Sequence, residues 1–252
     1  MGIAKELAGR IGAFSYDVLP DEAVLWAKTA ILDTVGVTLA GSGEECVRIL
    51  ESVHGIGDGG GPCLVFGRAA RTGPLDAGLI NGTASHALDF DDVAPSIGGH
   101  PSVPLVPAII AFGEMTGASG KDVLTAYVAG FETESRIARA VNFHHYEKGW
   151  HPTTTLGIFG TVAASALLLG LSEDETETAL ALAVSLASGV KANFGTMTKP
   201  LHVGHCVRNG MLAAILARQG FTAAADAFEH GHGFLNVFNG PGNFDAEKIF
   251  DN

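Results

Sequence analysis

One uncharged segment limits the possible folds of this chain more than any other feature. Residues 152–172 read PTTTLGIFGTVAASALLLGLS and contain no charged side chain. A stretch of this length and polarity lies either in a bilayer or inside a protein core. The segment is rich in Gly, Ala and Thr, and another small-residue helical pattern follows it. Because small side chains suit helices that pack closely on other helices, we expect a buried core helix here.

Helical patterns fill most of the remaining chain. The residues after Pro20 show apolar periodicity up to Gly41, which is typical of a helix with proline at its start and glycine at its end. Ser119 is placed to begin the next long helix, and Ser172 with Glu175 forms a capping-box pattern. These local signals predict a succession of helices along the sequence.

The sequence gives little indication of β-structure. A short apolar run at residues 63–66, bounded by glycines, is the one candidate strand. Glycine accounts for 34 of the 252 residues, about twice the usual share of ~7%. Many of these glycines stand beside Ala, Ser or Thr in helical stretches. We therefore predict an all-α fold, a compact multi-helix bundle with little or no β-structure.

The chain shows no internal division before its last residues. We find no repeat, linker or low-complexity stretch before Phe238, and residues 239–243 (NGPGN) form a turn pattern. We predict one helical domain over residues 1–238. Residues 239–252 are expected to form an exit segment that leads away from it.

Composition argues against several classes of function. The formal net charge of -12 is spread along the chain, which argues against nucleic acid or an anionic membrane surface as a partner. The three cysteines form no C-x-x-C pattern, so neither a disulfide framework nor a zinc ribbon is expected. The N-terminus lacks an apolar region followed by a small-residue cleavage site. We expect a cytoplasmic protein that binds neither nucleic acid nor membranes.

Ionisable side chains crowd into residues 81–102 (NGTASHALDFDDVAPSIGGHPS), a segment that otherwise resembles a buried helix. Residues 149–152 (GWHP) and 198–202 (TKPLH) add two histidines and a lysine. A histidine can take or deliver a proton near neutral pH, since its ordinary pKa is ~6.5. Cations near a carboxylate stabilise the charge that builds up when a neighbouring carbon loses a proton. The three segments together therefore predict an enzyme.

These three segments, in this order, resemble the signature of the MmgE/PrpD family. The resemblance covers essentially the whole chain and corresponds to the family's N-terminal helical domain. It implies a cofactor-independent lyase or isomerase that transfers a proton at carbon next to a carboxylate of a small di- or tricarboxylate. Family members of this kind include 2-methylcitrate dehydratase, cis-aconitate decarboxylase and iminodisuccinate epimerase. It also implies a second, α+β domain over the site, and we expect a homodimer.

The same resemblance assigns roles to residues of this chain. It implies that Asp89, His100, His151 and Lys199 occupy the family's active-site positions. His100 and His151 are expected to handle the proton and orient the substrate, with the acid and the base unassigned. Lys199 is expected to hold a substrate carboxylate, and Asp89 to orient a histidine. The expected substrate-binding residues are Lys199, His151, Asp92 and His202, and we expect no metal and no other cofactor.

Several nearby polar residues have structural explanations as well. His86 lies one helical turn before Asp89 and is expected to be a hydrogen-bonded core histidine. Asp91 and Asp92 fit a role in capping a helix or bonding loop amides as well as they fit a site.

Three other functions fit parts of the pattern. A magnesium-dependent all-α diphosphate enzyme would use paired aspartates, but DFDDV lacks an Asp-Asp-x-x-Asp arrangement. A His/Asp metallophosphohydrolase could collect a divalent ion with histidines and aspartates, but the chain has no adjacent His-Asp pair. The third alternative is a non-catalytic helical dimerisation module or truncated paralogue. Without a covering domain, a water-exposed site is expected to be weakly active or inactive.

Overall fold

Helices dominate residues 2–251, the part of the chain that this computed structural model describes. They are α1 (Ile3–Gly12), α2 (Asp21–Gly41), α3 (Glu45–Glu51), α4 (Pro74–Ser85), α5 (Ser102–Thr116), α6 (Gly120–Val141), α7 (His144–Glu147), α8 (Pro152–Thr155), α9 (Gly157–Leu169), α10 (Glu173–Leu186), α11 (Thr198–Arg218) and α12 (Phe234–Asn239). Two short strands, β1 (Cys63–Leu64) and β2 (Arg71–Thr72), pair antiparallel, with Cys63 opposite Thr72. The predicted all-α fold is confirmed.

Local capping explains where two of the long helices begin. The Ser119 side chain accepts a hydrogen bond from the backbone of Asp122, whose carboxylate accepts from the Ser119 backbone in return. Ser172 and Glu175 form the same reciprocal pair at the start of α10, as the sequence predicts. Each cap satisfies backbone N–H groups that a helix end leaves unpaired and stabilises the helix by about 1 kcal/mol.

The uncharged segment forms the centre of the bundle. Helix α9 packs against α5, α6 and α11. Two helical stretches are long and apolar enough to cross a membrane by length and composition alone, Asp21–Gly41 and Pro152–Leu169. The second is 94% buried inside the molecule. This burial agrees with the prediction of a core helix.

Close packing of α4 on α11 sets the spacing of the segments that carry the ionisable side chains. A Cβ atom at Gly204 would collide with the Leu79 carbonyl oxygen and with the Thr83 side chain. The backbones therefore approach more closely than any larger side chain would allow. Since α4 leads directly into His86 and α11 begins beside Lys199, this contact holds the two segments together.

The segment after α12 packs on the bundle. The Asp245 backbone N–H donates to the Ala140 carbonyl oxygen at 2.9 Å, and an Arg136 N–H donates to the Ile249 carbonyl oxygen at 3.2 Å. Ile249 itself is fully buried. The structure thus places residues 240–251 against α6, where the sequence predicts an exit segment.

Candidate active site

Three segments that are far apart in the sequence meet at one cavity. Asp89, His100, His151 and Lys199 line this cavity, which has a volume of about 340 Å³. We call it the site cavity. These four residues come from the α4–α5 loop, the residue before α8 and the first turn of α11. The structure therefore brings together the four residues predicted as catalytic.

The α4–α5 loop holds His100 in a defined position. Asp89 adopts a left-handed backbone conformation with φ of 52°, which Asp tolerates better than most residues. Farther along, the Ala94 N–H donates to the Gly99 carbonyl oxygen at 3.0 Å and closes a small loop. The His100 N–H then donates to the Thr153 hydroxyl at 3.0 Å, which fastens the loop to α8.

A buried carboxylate at Asp91 contacts two imidazoles. Its oxygens accept from His86 Nδ1 at 2.9 and 3.0 Å, and its Oδ2 lies 3.0 Å from His100 Nδ1. Burial opposes ionisation of Asp91, but the contacts with His100 and His86 outweigh it and hold the pKa well below its ordinary value. An ionised Asp91 favours the Nδ1–H form of both rings and leaves their Nε2 atoms for other partners.

The two predicted catalytic histidines have opposite protonation tendencies. Burial acts to lower the pKa of His100, but the hydrogen bond with Asp91 and the negative charge of Asp91 together outweigh it and leave that pKa raised. Burial lowers the pKa of His151 to about 2, and the neighbouring imidazoles of His86 and His202 act in the same direction. Near neutral pH, His151 is therefore an uncharged ring, whereas His100 is the imidazole that holds a proton more readily.

The surroundings of His151 leave one of its ring nitrogens free. Its backbone N–H donates to the Gly189 carbonyl oxygen at 3.0 Å, and its ring meets Phe194 edge-on. Its Nδ1 lies 3.3 Å from Nδ1 of His202, whose pKa is lowered mainly by burial. Within residues 2–251, the buried Nε2 atoms of His151 and His86 have no hydrogen-bond partner. Buried polar atoms are usually paired, so these two are available to a ligand.

Lys199 is already paired with an anion inside the site. Its Nζ lies 2.5 Å from Asp89 Oδ1, and His100 Nε2 lies 3.6 Å from the same oxygen. Burial acts to raise the pKa of Asp89, but the hydrogen bond with Lys199 leaves it lowered. The carboxylate of Asp89 therefore lies between an ammonium and an imidazole, as a substrate carboxylate would. The sequence predicts that Asp89 orients a histidine, whereas in the structure Asp91 makes that contact most closely.

Asp92, a predicted substrate-binding residue, is not among the residues that line the site cavity. Its carboxylate accepts from the Ser102 hydroxyl at 2.5 Å and from the Ser102 backbone at 3.2 Å. The same hydroxyl lies 2.7 Å from the Tyr127 hydroxyl. Burial raises the pKa of both Asp92 and Tyr127. Asp92 thus fastens the loop to the start of α5, because a carboxylate there satisfies free helix N–H groups.

Two residues of the site are not among the predicted site residues. His86 is buried, as a core histidine would be, but its ring centre lies 4.7 Å from that of His100 and 5.6 Å from that of His151. Asp91 joins His86 to His100. The crowding of histidine and aspartate in residues 81–102 is the sequence signal from which His86 and Asp91 could have been predicted as site residues.

The same cluster has the composition of a metal site. His86, Asp89, Asp91 and His100 each offer one ligand atom, and these atoms lie within 4.8 Å of one another. Imidazole and carboxylate ligands together suit zinc, iron or manganese. In this structure Asp91 and Asp89 instead pair with histidine and lysine side chains.

A further carboxyl group is buried in the core, on α6. Glu134 is 1% exposed, and within residues 2–251 neither of its carboxyl oxygens has a hydrogen-bond partner. Gly157 and Gly160 leave room for it on α9, where a Cβ would lie 3.4 and 3.0 Å from its Oε2. Burial raises its pKa well above the ordinary value, and the nearby charge of Asp92 adds to this. Glu134 is therefore expected to be protonated when the protein is folded.

We expect Glu134→Gln to be more stable than the wild type, by a margin that increases with pH. The folded wild type keeps a proton that the unfolded chain releases above pH 4.5. Its stability therefore falls as pH rises from there toward the raised pKa, by about 1.4 kcal/mol per pH unit. Glutamine cannot titrate, so the variant lacks this slope. Urea unfolding at a series of pH values measures how the free energy of unfolding depends on pH, with Glu22→Gln as a control at an exposed position. Parallel profiles for wild type and Glu134→Gln would contradict the prediction.

Comparison with known proteins adds an independent observation. The sequence model of the MmgE/PrpD N-terminal domain matches residues 5–247. The chain is 34% identical to cis-aconitate decarboxylase of Mus musculus over 239 residues. This aligned region covers 92% of this chain and 49% of the mouse protein. The Homo sapiens enzyme of the same name is 33% identical over 239 residues, which again cover 92% of this chain and 49% of that protein. Cis-aconitate decarboxylase of Aspergillus terreus is 30% identical over 249 residues, 94% of this chain and 50% of that protein.

These relatives are lyases by their activity, and the chain spans about half the length of each. The family model, in contrast, extends over nearly all of the chain, including all three segments that line the site cavity. The predicted resemblance is therefore confirmed, and the chain belongs to the MmgE/PrpD family.

Proposed function

We propose that the protein is a lyase that acts on a small polycarboxylate by proton transfer at carbon next to a carboxylate. Decarboxylation of cis-aconitate is the reaction we favour, because the relatives carry that activity. The observation that supports it most is the arrangement around Asp91. The buried carboxylate of Asp91 lies 3.0 Å from His100 Nδ1 and raises the pKa of that ring, while His100 Nε2 lies 3.6 Å from the Asp89 oxygen that Lys199 contacts.

Each group of the site has a part in this reaction. A substrate carboxylate replaces Asp89 beside Lys199 and His100, which stabilise its charge. The bond between carbon and the departing carboxyl group breaks, carbon dioxide leaves, and the electron pair spreads into the conjugated system. The imidazolium of His100 then donates its proton to carbon, which gives the dicarboxylate product. Solvent reprotonates His100, while the uncharged His151 orients the substrate through its free Nε2.

The direct test is incubation of the protein with cis-aconitate, with the products followed by nuclear magnetic resonance and by release of carbon dioxide. We expect Lys199→Met to raise KM by roughly tenfold or more, because the substrate carboxylate loses a charge-assisted hydrogen bond, which is worth about 1.5–3 kcal/mol, to a largely buried ammonium. Lys248→Met, which removes an exposed lysine, serves as the control. If the wild type leaves cis-aconitate unchanged, the proposed reaction is wrong.

Removal of divalent ions distinguishes the proposed chemistry from the metal-dependent alternative. Proton transfer by His100 needs only side chains of the protein, so activity should survive dialysis against a chelator. Activity that disappears on dialysis and returns with zinc or manganese would support a metal role for the cluster around Asp91.

We also propose that the protein forms a dimer through α2. Leu25, Leu32 and Leu39 follow one another at seven-residue spacing and are between 50% and 74% exposed, and Trp26 beside them is 63% exposed. Seven-residue spacing places apolar side chains in one stripe along a helix, which suits a second helix with the same stripe. A second copy of the chain, related by a two-fold axis, supplies such a helix.

Replacement of Trp26 and Leu32 by glutamate is expected to shift the protein from dimer to monomer in sedimentation experiments. Two charges in the centre of an apolar interface would remain unpaired and desolvated. Phe221→Glu, which adds a charge at another exposed aromatic position, should leave the dimer intact. A wild type that sediments as a monomer would contradict the proposed dimer.

A further inference from the structure

His202 contacts the predicted catalytic histidine His151 but does not line the site cavity. The sequence predicts His202 as a substrate-binding residue, yet it is not among the residues around that cavity. Its Nδ1 lies 3.3 Å from Nδ1 of His151, and the two ring centres are 5.5 Å apart. His202 lies one helical turn after Lys199, near the start of α11. It is therefore placed to act on a ligand through His151.

The backbone of His151 is held independently of His202. Its N–H donates to the Gly189 carbonyl oxygen at 3.0 Å, and in the same antiparallel bridge the Lys191 N–H donates to the Gly149 carbonyl oxygen at 2.8 Å. Gly189 also leaves room for the two rings. A Cβ atom there would lie 3.4 Å from His202 Nδ1 and 3.5 Å from His151 Cβ. The contact between the rings thus acts on the His151 imidazole, whose backbone is already fixed.

Two uncharged imidazoles that meet through Nδ1 share one hydrogen at that contact. Each neutral ring has one N–H and one bare nitrogen. Burial lowers the pKa of both His151 and His202, so both rings are uncharged near neutral pH. If His202 donates from Nδ1, His151 carries its own hydrogen on Nε2. If His151 donates from Nδ1, its Nε2 is bare. The direction of this hydrogen bond therefore decides whether Nε2 of His151 is a donor or an acceptor.

The chemistry of the ligand distinguishes the two forms. Within residues 2–251, Nε2 of His151 is buried and has no hydrogen-bond partner, whereas the half-buried His202 can bond water through its own Nε2. An ionised polycarboxylate offers only acceptor oxygens. It can pair with Nε2 of His151 only when that nitrogen carries hydrogen. A bare nitrogen would stay unpaired and would repel the carboxylate, which is costly in a buried site.

We propose that His202 is a positioning residue, whose Nδ1–H donates to Nδ1 of His151 and fixes Nε2 of His151 as a hydrogen-bond donor to a substrate carboxylate. This inference rests on the proposed function, since it needs a carboxylate in the site cavity. The cavity then presents three donors to one polycarboxylate: the Lys199 ammonium, the His100 ring and the Nε2–H of His151. Two hydrogen bonds in series, from His202 through His151 to the substrate, also polarise and strengthen each other.

Nuclear magnetic resonance of the protein with isotope-labelled histidine tests the tautomer directly. Tricarballylate, a saturated tricarboxylic acid, serves as an unreactive ligand. Nitrogen chemical shifts distinguish a ring with hydrogen on Nε2 from one with hydrogen on Nδ1, and the signals that disappear in His151→Asn are those of His151. We expect the Nε2–H form of His151 in the complex. Hydrogen on Nδ1 instead would overturn the proposal.

Two variants of His202 test its role. His202→Leu should weaken tricarballylate binding in calorimetric titration by roughly threefold to tenfold, about the net contribution of one hydrogen bond. It should also release His151 from the Nε2–H form. His202→Asn should keep both the affinity and the tautomer, because its amide can donate from nearly the position of histidine Nδ1. His205→Leu makes the same change at an exposed histidine one turn farther along α11 and is the control.

The outcomes separate the two proposals. If tricarballylate fails to bind the wild type, the proposed function is wrong, and the role of His202 is wrong with it. If tricarballylate binds and depends on Lys199, but His202→Leu leaves the His151 tautomer unchanged, the proposed function stands and the role of His202 is wrong. A loss of affinity without a change of tautomer counts in the same way, since a purely structural role would produce it. If His202→Leu does not fold, the tautomer in wild type and His202→Asn still decides.

Discussion

Replacement of His100 by glutamine is expected to lower kcat by about 100- to 10 000-fold, the usual contribution of a positioned proton donor. His100 has a raised pKa, and its Nε2 lies 3.6 Å from the carboxylate oxygen that Lys199 binds. Glutamine keeps polar contacts but has no proton to give to carbon. Single-turnover release of carbon dioxide measures the chemical step directly. His54→Gln, at a fully exposed histidine, is the matched control.

The pH dependence of the wild type gives a second measure of the same prediction. The protonated form of His100 is the active one in the proposed reaction. Activity should therefore be present below the raised pKa of His100 and disappear as pH rises through it. His100→Gln should lack this descending limb. An unchanged kcat in the variant, or the same limb in variant and wild type, would falsify the assignment of His100 as the acid.

Replacement of Asp91 by asparagine is expected to reduce kcat by a similar factor, about 100- to 10 000-fold, as when the carboxylate behind a catalytic histidine is removed. Asp91 is the charge that raises the pKa of His100 against the effect of burial. Its loss lowers the pKa of His100, so the descending limb of the pH profile should move to lower pH. Rates measured across a pH series in wild type and variant test this directly.

The adjacent residue provides the control for Asp91. Asp92→Asn removes a charge of the same size one position away, but Asp92 contacts Ser102 and the start of α5. We therefore expect its pH limb to stay where the wild type has it, even if its stability falls. Equal shifts of the limb in both variants would show that the effect depends on total charge and does not require the contact between Asp91 and His100.

The helices could be predicted from the sequence because their signals are local. Ser172 and Glu175 lie three residues apart, and the stop at Gly41 needs no knowledge of the rest of the chain. The segment after Asn239 has a turn pattern, but its packing on α6 depends on distant partners such as Arg136. A local turn pattern indicates that the chain turns after Asn239, but it does not specify the direction that the chain takes.

The site was predictable as a set of segments and less so as a set of contacts. Asp89 and Asp91 are the same residue type and lie two positions apart. The backbone is left-handed at Asp89, and the two carboxylates contact different partners: Asp89 contacts Lys199, and Asp91 contacts the histidines. Likewise, the protonation of His100 and His151 differs because of burial and neighbouring charge. Neither property can be inferred from residue type or spacing alone.

In the proposed reaction, the pair between Asp89 and Lys199 makes substrate capture an exchange of one anion for another. Asp89 is tethered beside Lys199, so it competes with any free acid at a high effective concentration. Selection among acids then depends on what each molecule offers beyond its first carboxylate. We therefore expect a monocarboxylic acid, which offers Lys199 only what Asp89 already supplies, to bind weakly.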